Sequence, residues 1–253
     1  MQRYFASKKI DNEFILYEQD CHHIKNVMRC KINDNIEVVY ENIVYICRID
    51  NLEPLKLSII NTIKENHELN VDITAAIPLV NEQKFDLIIQ KLTELGVSTI
   101  IPVETTRSII KLDNKKMTKK ITRWQLICKE ASEQSKRTKI PKVMDIIPLK
   151  ALKNTFQDIK LLCSLNELSK PIDTYLNSEL SSIIFTIGPE GGFTQNEEEY
   201  LLAIGFKPIT LGKRVMRVET AAIYVASIIN YVYKGWCLWS LLLIFIKVLI
   251  PLI

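Results

Sequence analysis

Two stretches decide how this chain is read: Ile187-Gly188-Pro189-Glu190-Gly191-Gly192-Phe193-Thr194, and Leu211-Gly212-Lys213-Arg214-Val215-Met216-Arg217-Val218-Glu219-Thr220. The chain has 253 residues and only seven glycines, and five of the seven fall between Gly188 and Gly212. Glycine concentrated in this way marks backbone that turns sharply or runs close to a neighbour. Each stretch follows an apolar run of strand type (182–187 and 207–211) and precedes a helical pattern. Both therefore sit at the carboxyl ends of strands, where open α/β sheets bind ligands. Together they are the expected floor of an active site.

Working outward, strand and helix alternate from Asn70 on. Strand patterns at 71–79, 97–103 and 159–163 are separated by helical spacing at 81–95, which stops at Gly96, and at 117–135. Such alternation predicts an α/β fold with a mostly parallel sheet. Thr194 with Glu197 three places on is a capping-box pattern, so a helix opens there and ends at Gly205. A last helix is expected over 219–233. Residues 1–67 differ. Short strands at 36–40, 44–48 and 55–63, a turn near Glu41-Asn42 and a short helical segment at 22–29 suggest a small barrel-like module. The polar stretch 64–68 reads as a linker. The expected domains are thus 1–67 and 70–234, followed by an atypical apolar tail, 235–253.

Charge is unevenly spread. The net charge is only +4, yet residues 107–142 carry twelve Lys/Arg against three acids. A basic stripe of that density suits a polyanion such as RNA; a merely solvated face is the plainer alternative. Roughly six phosphate contacts would give a log–log salt slope of about −4 to −5. The six cysteines include no C-x-x-C pair, and the amino terminus has no apolar signal core. Free thiols and a cytoplasmic location are expected. Cys21, His22, His23 and Cys30 fit no usual zinc spacing, so no metal is expected. The nineteen-residue tail is near the minimum for a membrane span, but Lys247 and Pro251 interrupt it. A packed tail or oligomer seam and a non-native extension are read ahead of an anchor.

The glycine loops lack the Gly-Lys-Ser/Thr of a phosphate loop and the G-x-G-x-x-G of a dinucleotide site. Glu190 and the acids after Thr194 disfavour a pyrophosphate. A cationic sulfonium such as S-adenosylmethionine fits better, its adenine read by backbone amides; tight turns without a ligand are the alternative.

Several motifs occur in order along 1–234: His22-His23 with Val27-Met28-Arg29; Lys91-Leu92-Thr93-Glu94-Leu95-Gly96-Val97; Arg107-Ser108; Trp124 with Glu130-Ala131-Ser132-Glu133-Gln134-Ser135-Lys136-Arg137; and the two glycine loops. On these the chain resembles the ribosomal RNA small subunit methyltransferase E family, SPOUT-class enzymes that methylate N3 of a uridine in small-subunit ribosomal RNA. The resemblance implies a PUA-like β-barrel for RNA, a SPOUT domain with a deep trefoil knot, and a homodimer. It implies that S-adenosylmethionine is held by Ile187, Gly188, Pro189, Gly191 and Gly192 of the first loop. Leu211, Gly212, Val215, Met216 and Arg217 of the second loop, with Ser164, would complete that site. It places His22, His23 and Arg29 in the RNA-binding module, joined by Arg107, Lys111, Lys136, Arg137 and Lys139 of the stripe. Arg217 is the first candidate to stabilise a uracil anion. Glu190 and Glu219 are candidate bases, although structural roles that fix loop geometry are preferred for both. Methylation at another RNA position and a non-catalytic assembly factor are the rival readings.

Overall fold

The computed structural model describes residues 1–11, 13–108, 114–167 and 169–234, with the side chains of 114–116 excepted. Lys111 and the tail 235–253 lie outside the described residues. The chain divides into two compact units, Met1–Glu68 with Gln125–Pro141, and Leu69–Trp124 with the residues from Lys142 on.

The first unit is built on β1 (Arg3–Ile10), β2 (Glu13–Leu16), a short α1 (Glu18–His22), β3 (Asn35–Tyr40), β4 (Ile43–Leu52) and β5 (Leu55–Ile63). The strand order is β2-β1-β3-β4-β5, with β1 and β3 parallel and the other pairs antiparallel. Edge strands β2 and β5 come into contact, so the sheet curls on itself around Tyr4, Phe14, Ile24, Ile36, Val38, Cys47 and Ile49. Glu41 and Asn42 both take positive φ, 49° and 63°, the geometry of a two-residue hairpin turn. The helical segment expected at 22–29 begins earlier, at Glu18, and finishes in a wide turn over His23–Val27. Strand β1 carries no clean alternation, because its buried end opens with a charged residue, whereas the four-residue β2 alternates exposed and buried positions. Arg3 is 2% exposed. Its guanidinium donates to Glu37 Oε2 at 2.8 Å, to the Lys136 carbonyl at 2.5 Å and to Glu65.

Residues 125–141 belong to this first unit, whereas the sequence pattern placed them wholly in the second domain. Buried ion pairs draw them there. Lys129 Nζ donates to Asp20 Oδ1 at 2.6 Å and to Glu133 Oε1 at 2.7 Å, and all three side chains are less than a tenth exposed. Glu133 Oε1 also accepts from the Phe5 amide at 3.2 Å. Arg137 is 4% exposed and donates to Glu68 Oε2 at 2.6 Å, while Glu68 Oε1 accepts from the amides of Thr138 and Lys139. Lys136 Nζ donates to Glu37 Oε2 at 2.9 Å and to the Met1 carbonyl at 2.5 Å. Of these two stripe residues read as phosphate ligands, Arg137 is thus buried in its ion pair, while Lys136 is paired but keeps 37% of its side chain exposed. Lys129 and Arg137 are cations of the stripe whose charge is spent inside the unit, and charge counting cannot separate these from solvated ones.

The second unit holds β6 (Asp72–Pro78), α2 (Glu82–Glu94), β7 (Thr99–Glu104), the first part of α3 (Asn114–Gln134), β8 (Lys142–Val143), β9 (Ile147–Pro148), β10 (Ile159–Cys163), β11 (Ser182–Ile187), α4 (Gln195–Ala203), β12 (Lys207–Ile209) and α5 (Val218–Tyr233). The strand order is β12-β10-β11-β6-β7-β8, with β9 also on β7, and every pair is parallel. Continuous burial along β6 and β11 is what two covered sheet faces require. Ala76, Ile101, Leu162 and Ile184 point into a cluster with Leu149, Leu152, Leu201 and Phe206. By alternation Ile183 and Phe185 serve the other face. Helices α2 and α5 pack together, and Asn230 Nδ2 caps the Leu95 carbonyl at 3.2 Å. Helix α2 begins at Asn81, whose side chain accepts from the Lys84 amide at 3.0 Å. Because the strands are parallel, their carboxyl ends share one edge of the sheet.

Two outcomes are expected for the first unit. Lys129→Ala leaves two buried carboxylates facing each other and should cost about 3–5 kcal/mol in denaturant titrations. Burial pushes the Glu68 carboxyl up, but the hydrogen bonds and charge of Arg137 outweigh it and hold the group below its free value of 4.5. The stabilisation from Glu68 is therefore complete above that value and drains as pH falls beneath it. Glu68→Gln should be less stable at neutral pH and lose less of its melting temperature on acidification.

Candidate active site

A cleft of about 660 Å³ opens at the carboxyl ends of β10, β11 and β12 and at the amino end of α5. Both glycine loops and the segment 163–167 line it, joined by Lys84 and Arg107. The fold thus brings together Ser164, Ile187, Gly188, Pro189, Gly191, Gly192, Leu211, Gly212, Val215, Met216 and Arg217, which stand as far as 53 residues apart in the chain. Glu190 lines the cleft as well; Glu219 does not.

The first loop is held by close backbone packing. A Cβ on Gly188 would stand 2.9 Å from the Phe193 amide nitrogen and 3.0 Å from Gly192 Cα. The second loop turns at Gly212 with φ +102°, a conformation that other residues adopt only under strain. Side chains from beyond three other strand ends then fasten the first loop and the helix α4 that follows it. Lys84, in the first turn of α2, pairs with Glu190. Arg107, after β7, donates to the Gly191 carbonyl and, at 3.4 Å, to that of Phe193. Ser164, after β10, donates to Glu198 Oε1 and Asn166 Nδ2 to Glu198 Oε2 at 2.7 Å. Helix α4 opens with the expected capping box between Thr194 and Glu197.

Arg217 occupies the N-cap position of α5 and is exposed at the cleft. Among the described residues it pairs with neither Glu190, which is taken by Lys84, nor Glu219. Glu219 lies in the first turn of α5 with Oε2 buried and without a hydrogen-bond partner among the described residues. Its place away from the cleft lining favours the structural reading over a base, and the Lys84 pair does the same for Glu190. His22 and Arg29 are exposed in the first unit, Arg29 with φ 52°. His23 shares a 2.9 Å hydrogen bond between Nδ1 and Tyr4 Oη. Lys139 is exposed. Sequence reading missed Lys84, Asn166 and Glu198. The signal for Glu198 was its place in the acidic first turn of α4, which the helix dipole already explained; the long-range bonds of Lys84 and Asn166 had no local signature.

The cleft is walled by Ile187, Leu211, Met216, Val218 and Ala221, and carries the cations Lys84, Arg107, Lys213, Arg214 and Arg217 against the acids Glu167, Glu190 and Glu198. A model of an RNA methyltransferase domain matches residues 67–230, and one of an RNA methyltransferase PUA domain matches residues 16–60. Ribosomal RNA small subunit methyltransferase E of Bacillus subtilis is 36% identical over 247 residues, covering 91% of this chain and 96% of that protein. The chain belongs to the ribosomal RNA small subunit methyltransferase E family. The Mesomycoplasma hyopneumoniae member is 37% identical over 229 residues, covering 90% and 98% of the two chains. The solved Neisseria gonorrhoeae member, bound to S-adenosyl methionine, superposes with a TM-score of 0.83 at 29% identity, covering 92% and 98%. A Legionella pneumophila methyltransferase in complex with the same cofactor gives 0.85 at 26%, covering 91% and 97%. The two matched domain models agree with the division of the chain into a β-rich unit and a parallel α/β unit.

Gly188→Ala should be destabilising by about 1–3 kcal/mol, because the colliding atoms are backbone and cannot rotate away. Equilibrium denaturation measures this; an unchanged midpoint would show that the loop is looser than its packing indicates.

Proposed function

We propose that this chain transfers a methyl group from S-adenosylmethionine to N3 of a uridine in small-subunit ribosomal RNA. The observation that carries the reading is the single cleft in which both glycine loops meet an arginine with no ion pair to the neighbouring loop glutamates. The cleft suits the cofactor: apolar walls at Ile187, Leu211 and Met216 for a base, glycine backbone without side chains in the way, and carboxylates already engaged by Lys84, Ser164 and Asn166. Ser164, the 187–192 loop and the 211–217 loop would hold it. When bound, the cofactor supplies an electrophilic methyl carbon on a cationic sulfur. The same relatives that carry the cofactor in their crystals support its assignment here.

The chain's own residues then have three tasks. The loops orient the partners and exclude water, which supplies most of the acceleration in a displacement of this type. The uracil N3–H must lose its proton as it reacts, and the Arg217 guanidinium stabilises the negative charge that spreads onto the ring oxygens. The excess of cations along the cleft attracts the phosphates of the RNA. N3 lies on the pairing edge of the base, so the target is read unpaired or turned out of its helix.

The finer class assignment follows the same line. Parallel order β12-β10-β11-β6-β7 and the bonding of the β12 end to both ends of the 164–171 segment support a SPOUT domain with a trefoil knot. In that bonding the Ser164 amide donates to the Ile209 carbonyl at 3.1 Å, and the Thr210 amide to the Lys170 carbonyl at 2.9 Å. Residues 1–67 would be the RNA-binding module, extended by 125–141, and 70–234 the remaining catalytic part. Exposed Tyr224, Tyr231 and Val232 on α5 support a homodimer. No helix among the described residues is long and apolar enough to cross a membrane. A cytoplasmic enzyme acting on the small ribosomal subunit or its RNA is the reading.

Methyl transfer to small ribosomal subunits lacking the modification tests this, with nucleoside mass spectrometry to locate the methyl group. Arg217→Ala should lower kcat by about a hundredfold or more while cofactor affinity changes far less. Equal rates would remove Arg217 from catalysis, and a methyl group on ribose or on another base would overturn the N3 assignment. With Lys136 and Arg137 withdrawn, about four phosphate contacts remain and the log–log salt slope of RNA binding should be near −3. A slope as steep as −5 would return these paired cations to the interface.

A further inference from the structure

Glu197 does more than cap a helix. Its Oε2 closes the capping box, accepting from the Thr194 amide at 2.9 Å and from Thr194 Oγ1 at 3.0 Å. Its Oε1 reaches a turn 91 residues earlier in the chain, accepting from the Thr106 amide at 2.7 Å and from Thr106 Oγ1 at 2.9 Å. One carboxylate thus takes four donors from two loops. The next residue of that turn, Arg107, donates to the Gly191 and Phe193 carbonyls and lies along Gly191, where an added Cβ would stand 3.1 Å from Arg107 Cδ. The turn is closed on itself by the Ser108 amide, which donates to the Thr105 carbonyl at 3.1 Å, and by a 2.8 Å bond between the two hydroxyls. A capping box needs only the bonds within its own first turn. The contacts of Oε1 are additional, and they bind the end of β7 to the loop that follows β11.

We propose that Glu197 is a positioning residue that staples the 105–108 turn to the first glycine loop, so that RNA held at the turn and cofactor held at the loop tighten each other's binding. The proposal rests on the functional reading above. Arg107 stands at the boundary: its side chain lines the cleft and is exposed, while its donors hold the loop carbonyls. A phosphate approaching that guanidinium orders the turn, and the shared carboxylate passes the order to residues 191–194. The reverse follows by reciprocity, since a coupling free energy between two sites acts equally in both directions. Burial works against the Glu197 charge, but the hydrogen bonds from Thr106 and Thr194 outweigh it and hold the carboxyl below its usual range, so the staple is intact at neutral pH.

Equilibrium dialysis with radiolabelled S-adenosylhomocysteine, with and without saturating small-subunit ribosomal RNA that lacks the modification, reads the coupling. In the unmodified chain the RNA should tighten nucleoside binding roughly fivefold or more. Thr106→Val leaves the capping box whole and removes one staple bond, and Glu197→Gln puts an amide among four donors. Both should reduce the RNA effect to less than about twofold. Thr194→Ala removes the helix cap and the hydroxyl bond within the helix's own first turn, but leaves the Thr194 amide and both Thr106 donors on Glu197; it should lower the melting temperature and retain most of the coupling, which separates stapling from helix stability. Coupling that is unchanged in Thr106→Val and Glu197→Gln, or equally lost in Thr194→Ala, would overturn the inference. Nucleoside binding that ignores RNA in the unmodified chain would overturn the inference alone; no nucleoside binding at all would overturn the functional reading with it.

Discussion

At Gly188 the backbone passes so near the Phe193 amide that a single added methyl group would collide with it. The site depends on this contact. It folds the first loop back across the end of β11, which leaves a cleft whose floor is peptide rather than side chain. Around that floor the parallel sheet delivers the ends of β6, β7, β10 and β12, and each sends a residue or a backbone bond toward the same place. Lys84, Arg107 and Ser164 therefore meet Glu190, the loop carbonyls and Glu198 within one small region. The architecture makes the convergence possible because parallel strands end together; the glycine makes it compact.

Charge plays two distinct parts in the molecule. In the first unit, ionised side chains are taken out of water in pairs: Lys129 with Asp20 and Glu133, Arg137 with Glu68, Arg3 with Glu37. Such groups are strongly destabilising when one partner is lost, and together they fix where residues 125–141 run. At the cleft, by contrast, Lys213, Arg214 and Arg217 remain exposed. Cations that stay solvated attract a polyanion over distance, whereas cations spent on buried partners do not.

Much of this was legible beforehand. Strands β5, β10 and β11 fall where their patterns placed them, because each is a continuous or alternating run of apolar residues bounded by polar ones. The capping box at Thr194 and Glu197 was read from four residues, since its bonds are local. Strand β1 was not seen individually, because Arg3 is buried by partners 34 to 134 residues away that no local window includes, and β2 is only four residues long. The basic stripe could not be resolved residue by residue for the same reason: whether a lysine faces water or a buried glutamate is decided by another part of the chain.

The amino-acid sequence by itself determined the local matters: which runs are strands, where helices start, and that glycine gathers at two loops after strands. Those follow from periodicity, capping and backbone freedom, which act over a few residues. Only the tertiary structure decided which cations are spent internally, that Glu190 is held by Lys84 while Arg217 is left without that partner, and that Glu197 serves two loops at once. Each of these is a contact between segments far apart in the chain, and a carboxylate reads the same in a sequence whether its second oxygen meets water or a threonine 91 residues away.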